Sequence, residues 1–166
     1  EYNNFESAER LIEQHKNNIY ALIVEPYSAS TLQELDTEFL LNVRAITKKY
    51  NIVLIYDEIY TGWAKVGNLM NFMRCCVNHE SCNDGSSNCV CENIAPDILT
   101  LSKTLGGGKS SISTYVTRKE IYEKTYSSIQ EFSLHSTTYS YFAEEAATAL
   151  EAINVIIEDK YVQKLQ

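Results

Sequence analysis

Apolar residues follow two different spacings along the chain, which indicates both amphipathic helices and buried strands. Helical spacing predicts a first helix over Phe5 to His15. The residues expected on its buried side are Phe5, Ala8, Leu11, Ile12 and His15. The apolar run from Tyr20 to Val24 then predicts a strand buried on both faces, because runs without alternation are typical of parallel sheets. Glu25-Pro26 ends this strand, since proline has no N–H for the ladder.

A second helix pattern and a second apolar run come next. Asp36 or Thr37 can cap the helix, and Asn51 is suited to end it in the left-handed conformation. The apolar stripe of this helix is expected to contain Phe39, Val43, Ile46 and Tyr50. Ile52 to Tyr56 is another unbroken apolar run, closed by Asp57-Glu58. The order strand, helix, strand predicts a right-handed parallel crossover unit.

Two more strands and a long helix complete the pattern. Pro96 to Leu101 predicts a third strand, Ile112 to Thr117 predicts a fourth, and a helix is expected from about Phe142 to Lys160. The face of this helix expected to be buried consists of Ala143, Ala146, Ala147, Leu150, Ile153 and Ile157. We therefore expect an α/β fold with a mostly parallel sheet and flanking helices.

Length and charge limit the classes of function. A chain of 166 residues is the size of one domain, and no apolar run approaches the roughly 20 residues that span a bilayer. The 22 acidic and 14 basic residues give a formal charge of −8, which opposes the neutralisation of nucleic-acid phosphates. We expect one core, no membrane segment and no nucleic-acid partner. The compartment stays open, with the cytoplasm and the mitochondrion as expectations.

Polar residues end three of the predicted strands, at the edge where open parallel sheets bind ligands. They are Glu25, Asp57 with Glu58, and Ser102 with Lys103. A carboxylate at Asp57 would act strongly on a neighbour in a partly dry environment, and a solvated strand-end acid is the alternative. Lys103 precedes three glycines that allow close approach to a ligand, and a desolvated lysine there can form a Schiff base. A surface loop lysine is the alternative.

Two other polar stretches raise the question of phosphate binding. Gly108-Lys109-Ser110 is similar to the end of a P-loop, but that motif requires a glycine where this chain has Lys103. Nucleotide hydrolysis is therefore not favoured. His135 to Thr138 can either cap the last helix or hold a phosphate with hydroxyl and N–H donors.

All five cysteines lie in one polar stretch that also contains a histidine. The residues that could bind zinc are Cys75, Cys76, His79, Cys82, Cys89 and Cys91. Their spacing lacks a Cys-x-x-Cys pair, so the pattern leaves three alternatives open. These are zinc in a reducing compartment, two disulfides and one spare thiol in an oxidising compartment, and thiols without a role.

Four motifs follow one another in a characteristic order: Ile23-Val24-Glu25-Pro26, Asp57 to Gly67, Pro96 to Gly108, and Leu134 to Tyr139. This order resembles the class III pyridoxal-phosphate aminotransferases, the ornithine, acetylornithine, 4-aminobutyrate and putrescine type. The resemblance implies that residues 1–166 are the central part of the cofactor-binding large domain of a fold-type I transferase. It also implies that the stretch at about 73–93 is a Cys-rich insertion.

The resemblance also implies roles for individual residues. Lys103 matches the lysine that holds pyridoxal phosphate as a Schiff base and later moves a proton. Asp57 matches the carboxylate that pairs with the pyridine nitrogen, Ile59 matches an aliphatic residue on one ring face, and Tyr60 stands where many relatives carry glutamine. Thr138 matches a threonine that reaches the cofactor phosphate of the neighbouring subunit, which implies a homodimer. The cofactor-binding candidates are therefore Glu25, Asp57, Ile59, Tyr60, Ser102, Lys103 and Thr138.

The activity implied by the resemblance is amino transfer from an amine or amino acid to an oxo acid. An aminomutase, racemase or decarboxylase reaction with the same cofactor is one alternative, and a non-catalytic relative that binds zinc or a partner is another. The chain departs from the family pattern at Lys65-Val66-Gly67, where Arg-Thr-Gly is usual. In the family, a phosphate-binding glycine loop precedes the matched segment and a carboxylate-binding arginine follows it. We therefore expect the cofactor-binding core of a transaminase, inactive by itself.

Overall fold

A computed structural model of the protein describes residues 2–75, 90–138, 140 and 142–165, with the backbone alone at residues 75, 132 and 133. Its centre is a four-stranded sheet in the order β1-β2-β3-β4. The strands are β1 (Ala21–Val24), β2 (Val53–Asp57), β3 (Ile98–Leu101) and β4 (Thr114–Thr117). The first three are parallel, and β4 pairs antiparallel with β3. The predicted α/β class with a mostly parallel sheet is confirmed.

The helices lie between and beside the strands. They are α1 (Phe5–His15), α2 (Thr37–Lys49), α3 (Val90–Ile94), α4 (Lys119–Thr125), α5 (Ala143–Glu158) and α6 (Tyr161–Lys164). Short 3₁₀ helices cover Asn71–Cys75, Lys103–Gly106 and Phe132–His135. None of the helices in these ranges has both the length and the apolar character that a bilayer crossing requires.

Helix α2 connects the first two parallel strands. Asp36 is its N-cap residue, although the Asp36 side chain makes no capping hydrogen bond. Asn51 follows the helix with φ of 54°, the left-handed conformation that the sequence predicts at this position. Leu40 and Val43 on α2 are fully buried against Leu54 and Tyr56 of β2, so the apolar run of β2 forms the centre of the core.

The prediction that β1 is buried on both faces is wrong. Leu22 and Val24 are partly buried and pack against the helix-side core, whereas Ile23 points the other way and is 64% exposed. Strand β1 lies at one end of the strand order. The described residues cover just one of its two faces. Leu11 of α1 is likewise exposed, because the buried side of that helix centres on Ile12.

The predicted face of α5 is also wrong. Leu150 and Ile157, both expected inside, are 60% and 58% exposed, whereas Ala149 is buried and Ile153 packs beside it. The glycine turn after β3 explains the difference, since a Cβ on Gly107 would come within 3.0 Å of the Ala152 Cβ. The helix therefore presents its small residues where the turn approaches most closely.

Asp97 ties the start of β3 to α2. Its carboxylate accepts two hydrogen bonds from Arg44, at 2.7 and 2.9 Å, and one from the backbone N–H of Leu54 at 2.8 Å. Arg118 adds a second ion pair at 3.0 Å. Burial raises the pKa of Asp97, but these arginines and the N–H outweigh burial and hold the pKa below its usual value.

Candidate active site

The ends of the three parallel strands lie side by side at one edge of the sheet. In the ladder, Val24 pairs with Tyr56, and Asp57 pairs with Thr100. Strand β1 ends one residue before Glu25, and β3 ends two residues before Lys103. Because register partners on neighbouring strands are about 4.8 Å apart, the fold brings the strand ends that carry the predicted site residues to the same edge.

Asp57 is half-buried, and its carboxylate accepts a hydrogen bond from the turn that follows β2. Its Oδ1 accepts a hydrogen bond of 3.0 Å from the backbone N–H of Ile59, which shapes the turn after β2. Oδ2 has no hydrogen-bond partner among the described residues. The neighbouring Thr100 Oγ1 is buried and also has no hydrogen-bond partner in this part of the chain. One carboxylate oxygen and one hydroxyl beside it can therefore accept a further group.

Lys103 is exposed and starts the 3₁₀ helix after β3, with the unusual φ of 47°. Two hydrogen bonds fix the backbone around it. The N–H of Leu105 donates to the Ser102 carbonyl at 3.0 Å, and Ser102 Oγ donates to the Ile112 carbonyl at 2.8 Å. Across the described residues, no carboxylate lies within ion-pair distance of Lys103 Nζ, so its amine is available to a ligand.

Tyr60, in the turn after β2, lies between two lysines. The Nζ atom of Lys65 is 4.1 Å from the centre of the Tyr60 ring, and the Nζ atom of Lys103 is 5.8 Å from it. The turn after β2 and the 3₁₀ helix after β3 therefore meet at this ring. Ile59, the residue between Asp57-Glu58 and Tyr60, is half-buried.

Glu58 is the residue whose importance the sequence reasoning missed. Its carboxylate is fully buried and accepts hydrogen bonds from the backbone N–H groups of Asn71 and Phe72, at 2.5 and 2.9 Å, and from Thr61 Oγ1 at 3.1 Å. Burial raises the pKa of Glu58 against the lowering effect of these donors. The sequence did contain a signal for this role. Glu58 is a second acidic residue directly after a buried strand, and Thr61 follows it three residues later.

Two other candidates are engaged in their own loops. Glu25 is exposed, and its Oε2 accepts a hydrogen bond of 2.9 Å from the backbone N–H of Ala29. Thr138 is exposed, and its neighbour Thr137 bonds to Ser140 through both its N–H and its hydroxyl. The N-cap residue of α5 is Phe142, so of the two alternatives for the hydroxyl cluster, capping of this helix is wrong.

The described residues include only part of the predicted zinc-ligand set. Cys76, His79, Cys82 and Cys89 lie outside the described residues, as does the side chain of Cys75. Cys91 is buried on α3 and forms a disulfide, so in this state it is not a free thiol. Within the described ranges, no three His, Cys, Asp or Glu side chains come together as a metal site.

Two surface cavities flank the strand ends without including them. One of about 940 Å³ lies between β4, α4 and α5 and is lined by Tyr115, Tyr126 and His135 among others. In it, a hydrogen bond with Tyr126, together with burial, raises the pKa of Tyr115 to about 12. The second, of about 790 Å³, lies between the Trp63 turn and α5. Neither Asp57 nor Lys103 lines either of these two cavities.

Comparison with known proteins gives the family of this chain. The family model described as aminotransferase class III matches residues 1–166, the whole chain. The chain therefore belongs to the class III aminotransferases, a family that uses pyridoxal phosphate.

The relatives span more than one aminotransferase. The chain is 28% identical over 166 residues to adenosylmethionine-8-amino-7-oxononanoate aminotransferase of Helicobacter pylori, covering 98% of this chain and 34% of the relative. It is 30% identical over 165 residues to ornithine aminotransferase of Plasmodium yoelii yoelii, again covering 98% of this chain and 34% of the relative. The solved structure of a transaminase from the marine bacterium Virgibacillus superimposes with a TM-score of 0.77 at 26% identity, covering 97% of this chain and 34% of that one. The chain thus spans 34% of the length of these curated relatives.

Proposed function

We propose that the protein containing this chain transfers an amino group from an amine or amino acid to an oxo acid, with pyridoxal phosphate bound at the carboxyl edge of β2 and β3. Residues 1–166 would be the core of its cofactor-binding large domain, with a Cys-rich insertion at about 73–93. Family membership supports the reaction class. The observation that carries the site is the pairing of Asp57 with Thr100, which sets the Asp57 carboxylate beside the strand that leads into Lys103.

The donors and acceptors at this edge fit the cofactor. A protonated pyridine nitrogen needs an acceptor, and Asp57 has an oxygen without a partner among the described residues. The cofactor aldehyde needs an amine, and Lys103 Nζ is exposed and outside any ion pair in the described part of the chain. When bound, pyridoxal phosphate supplies a ring that stabilises negative charge on the substrate carbon.

Each residue would then have a separate task. Asp57 would hold the proton on the ring nitrogen, because a fixed carboxylate stabilises a neighbouring cation in a partly dry site. Lys103 would hold the cofactor through Nζ and, once released, carry the proton to and from the substrate carbon. Ile59 would pack against the ring face, and the Tyr60 hydroxyl would donate near the cofactor phenolic oxygen.

Three further residues would complete the cofactor site. Ser102 would fix the backbone from which Lys103 projects, through its bond to the Ile112 carbonyl. Glu25 would shape the loop at the end of β1 through the hydrogen bond that its carboxylate accepts from the backbone N–H of Ala29. Thr138 would reach the cofactor phosphate of a second copy of the chain, which makes the active form a homodimer.

Borohydride reduction tests the assignment of Lys103. The protein is mixed with pyridoxal phosphate, reduced and digested, and the modified lysine is located by mass spectrometry. We expect the label on Lys103, its loss in Lys103→Ala, and its retention in Lys109→Ala, which removes a nearby exposed lysine. A label that persists in Lys103→Ala would contradict the proposal.

An amino-transfer assay tests the reaction. The names of the two relatives contain adenosylmethionine and ornithine, so both are offered separately as donors with an oxo acid acceptor. We expect the whole protein that contains this chain to convert the oxo acid into an amino acid with one of them, and Asp57→Asn to reduce this rate at least about 100-fold, the lower end of what an acid–base or charge-stabilising group contributes. Formation of product without consumption of an oxo acid would instead identify another reaction of the cofactor.

A further inference from the structure

The Tyr60 ring is shared by two ammonium groups. Lys65 Nζ lies 4.1 Å from the ring centre, and Lys103 Nζ lies 5.8 Å from it. A cation within about 6 Å of an aromatic ring centre is attracted by the negative face of the ring. Both lysines therefore meet this condition, and the closer one is not the lysine proposed to bind the cofactor.

The backbone that carries the Tyr60 ring is held by the turn after β2. Asp57 Oδ1 accepts the N–H of Ile59 at 3.0 Å, and the Glu58 carbonyl accepts the N–H of Gly62 at 2.9 Å. Gly62 packs so closely on β3 that an added Cβ would lie 2.7 Å from Leu101 Cδ2. Tyr60 lies within this turn and is half-buried, so the backbone that carries its ring is held in place.

Both lysines project from constrained backbone. Lys103 has φ of 47° between the bonds that fix Ser102 and Leu105. Lys65 follows Trp63 and Ala64, which have φ of 61° and 65°, a conformation uncommon for residues other than glycine. The Leu69 carbonyl accepts the N–H of Trp63 at 2.7 Å and holds this turn. The two ammonium groups therefore reach the Tyr60 ring from two different segments of the chain, the turn after β2 and the 3₁₀ helix after β3.

We propose that Tyr60 is a positioning residue that holds the Lys103 ammonium whenever Lys103 is not bonded to the cofactor, and that Lys65 competes for the same ring. This proposal rests on the proposed role of Lys103. The ring attracts the ammonium and has no comparable attraction for a neutral amine. A bond to the cofactor requires the neutral amine, which the ring does not hold, so the ring opposes cofactor attachment and Lys65 weakens that opposition.

Nuclear magnetic resonance of the cofactor-free protein tests the contact directly. Reductive methylation with ¹³C-formaldehyde converts each lysine to a charged dimethylammonium, and methyl groups over a ring face shift upfield. We expect upfield signals for Lys65 and Lys103, identified by their loss in Lys65→Arg and Lys103→Arg. Tyr60→Phe keeps the ring and should keep both shifts, whereas Tyr60→Leu should abolish both. A Lys103 signal that is the same in Tyr60→Leu and in the unaltered protein would overturn the proposal.

A second variant keeps the proposal testable if Tyr60→Leu does not fold. Lys65→Met leaves Tyr60 in place and removes the competing cation, so the Lys103 methyl signal should move further upfield. An unchanged or smaller shift would refute the competition.

The rate of cofactor attachment gives an independent readout. Tyr60→Leu and Tyr60→Phe both lack the hydroxyl and differ only in the ring. We expect Tyr60→Leu to attach pyridoxal phosphate about two- to fivefold faster than Tyr60→Phe, which corresponds to the strength of an exposed cation–π contact. Equal rates would overturn the proposal.

If borohydride instead labels another lysine, the proposed function fails while the resonance shifts still report whether Tyr60 holds Lys103, so the two failures are distinguishable.

Discussion

Arg44 on α2 and Asp97 before β3 form a two-pronged ion pair, with Nη1–Oδ2 at 2.7 Å and Nη2–Oδ1 at 2.9 Å. The side chains are 8% and 12% exposed, so the pair is shielded from water. The same Asp97 oxygen that bonds Nη1 also accepts the N–H of Leu54. This one carboxylate therefore joins α2, β2 and the start of β3, the strand that leads to Lys103.

Removing the charge of Asp97 should destabilise the protein strongly. Asp97→Asn leaves Arg44 buried without its partner, and we expect the free energy of unfolding to fall by about 3 kcal/mol, measured by urea denaturation. Glu123→Gln is the matched control, because Glu123 forms an exposed ion pair with Lys119. That change should cost less than about 1 kcal/mol. Similar losses in the two variants would contradict a special role for the buried pair.

The same carboxylate should make the fold sensitive to acid. The pKa of Asp97 is held below its usual value in the folded state, so its contribution to stability is fully present above the ordinary aspartate pKa of about 3.9. That contribution is lost as the pH falls from about 3.9 through the lower folded value. We expect the urea midpoint to decline over this range less steeply in Asp97→Asn than in the unaltered protein. Parallel curves would show that other carboxylates dominate acid unfolding.

Glu58→Gln should destabilise the turn that carries Tyr60. Each Glu58 oxygen accepts a backbone N–H, so an amide nitrogen at either place would face another donor. We expect a loss of about 1–3 kcal/mol in the free energy of unfolding. Glu158→Gln, at the exposed end of α5, is the control and should change stability by less than about 0.5 kcal/mol. A Glu58→Gln protein as stable as the control would show that the buried carboxylate is dispensable.

Gly62→Ala should disturb the contact between the turn after β2 and the end of β3. The added Cβ would lie 2.7 Å from Leu101 Cδ2 and 3.0 Å from the Glu58 carbonyl oxygen, and a carbonyl of a packed turn cannot move aside as a side-chain tip can. We expect a loss of about 1–3 kcal/mol, seen as a lower melting temperature. Gly106→Ala is the comparison, since its nearest neighbour would be at 3.2 Å. The larger loss should occur at Gly62, and the reverse order would contradict the packing.

The backbone at Lys103 should prefer glycine to alanine. Its φ of 47° is a conformation in which a Cβ costs about 1 kcal/mol, so Lys103→Gly should be more stable than Lys103→Ala by about that amount. At Lys48, an exposed position in α2, the order should be inverted, because glycine destabilises helices relative to alanine. Thermal unfolding of the four variants measures both differences. Alanine ahead of glycine at both positions would mean that Lys103 is not held in the left-handed conformation.

The order of strands and helices could be predicted from the sequence because unbroken apolar runs mark the parallel strands. Ile52 to Tyr56 predicts β2, which runs from Val53 to Asp57. The face of α5 could not be predicted, because this helix has apolar residues around most of its circumference. The approach of Gly107 to Ala152, a contact between distant parts of the chain, decides which residues are buried.

The candidate site also has one part that could be predicted from the sequence and one part that could not. Asp57 and Lys103 could be placed at one edge because parallel strands carry their carboxyl ends together, and the register of β2 and β3 agrees with that expectation. The approach of Lys65 to Tyr60 could not be predicted, because it depends on two successive left-handed residues in a turn with no glycine at either position. No periodic pattern carries that information.

The segments on either side of residues 76–89 are both anchored in the core. Glu58 holds the backbone of Asn71 and Phe72, Arg74 pairs with Glu34, and Ile94 at the end of α3 is fully buried. Two fixed attachment points isolate the strand ends from changes in the length of chain between them, since the entropic cost of closing a chain segment grows only logarithmically with its length. A designed linker of a different length between residues 75 and 90 should therefore leave the edge that carries Asp57 and Lys103 in place.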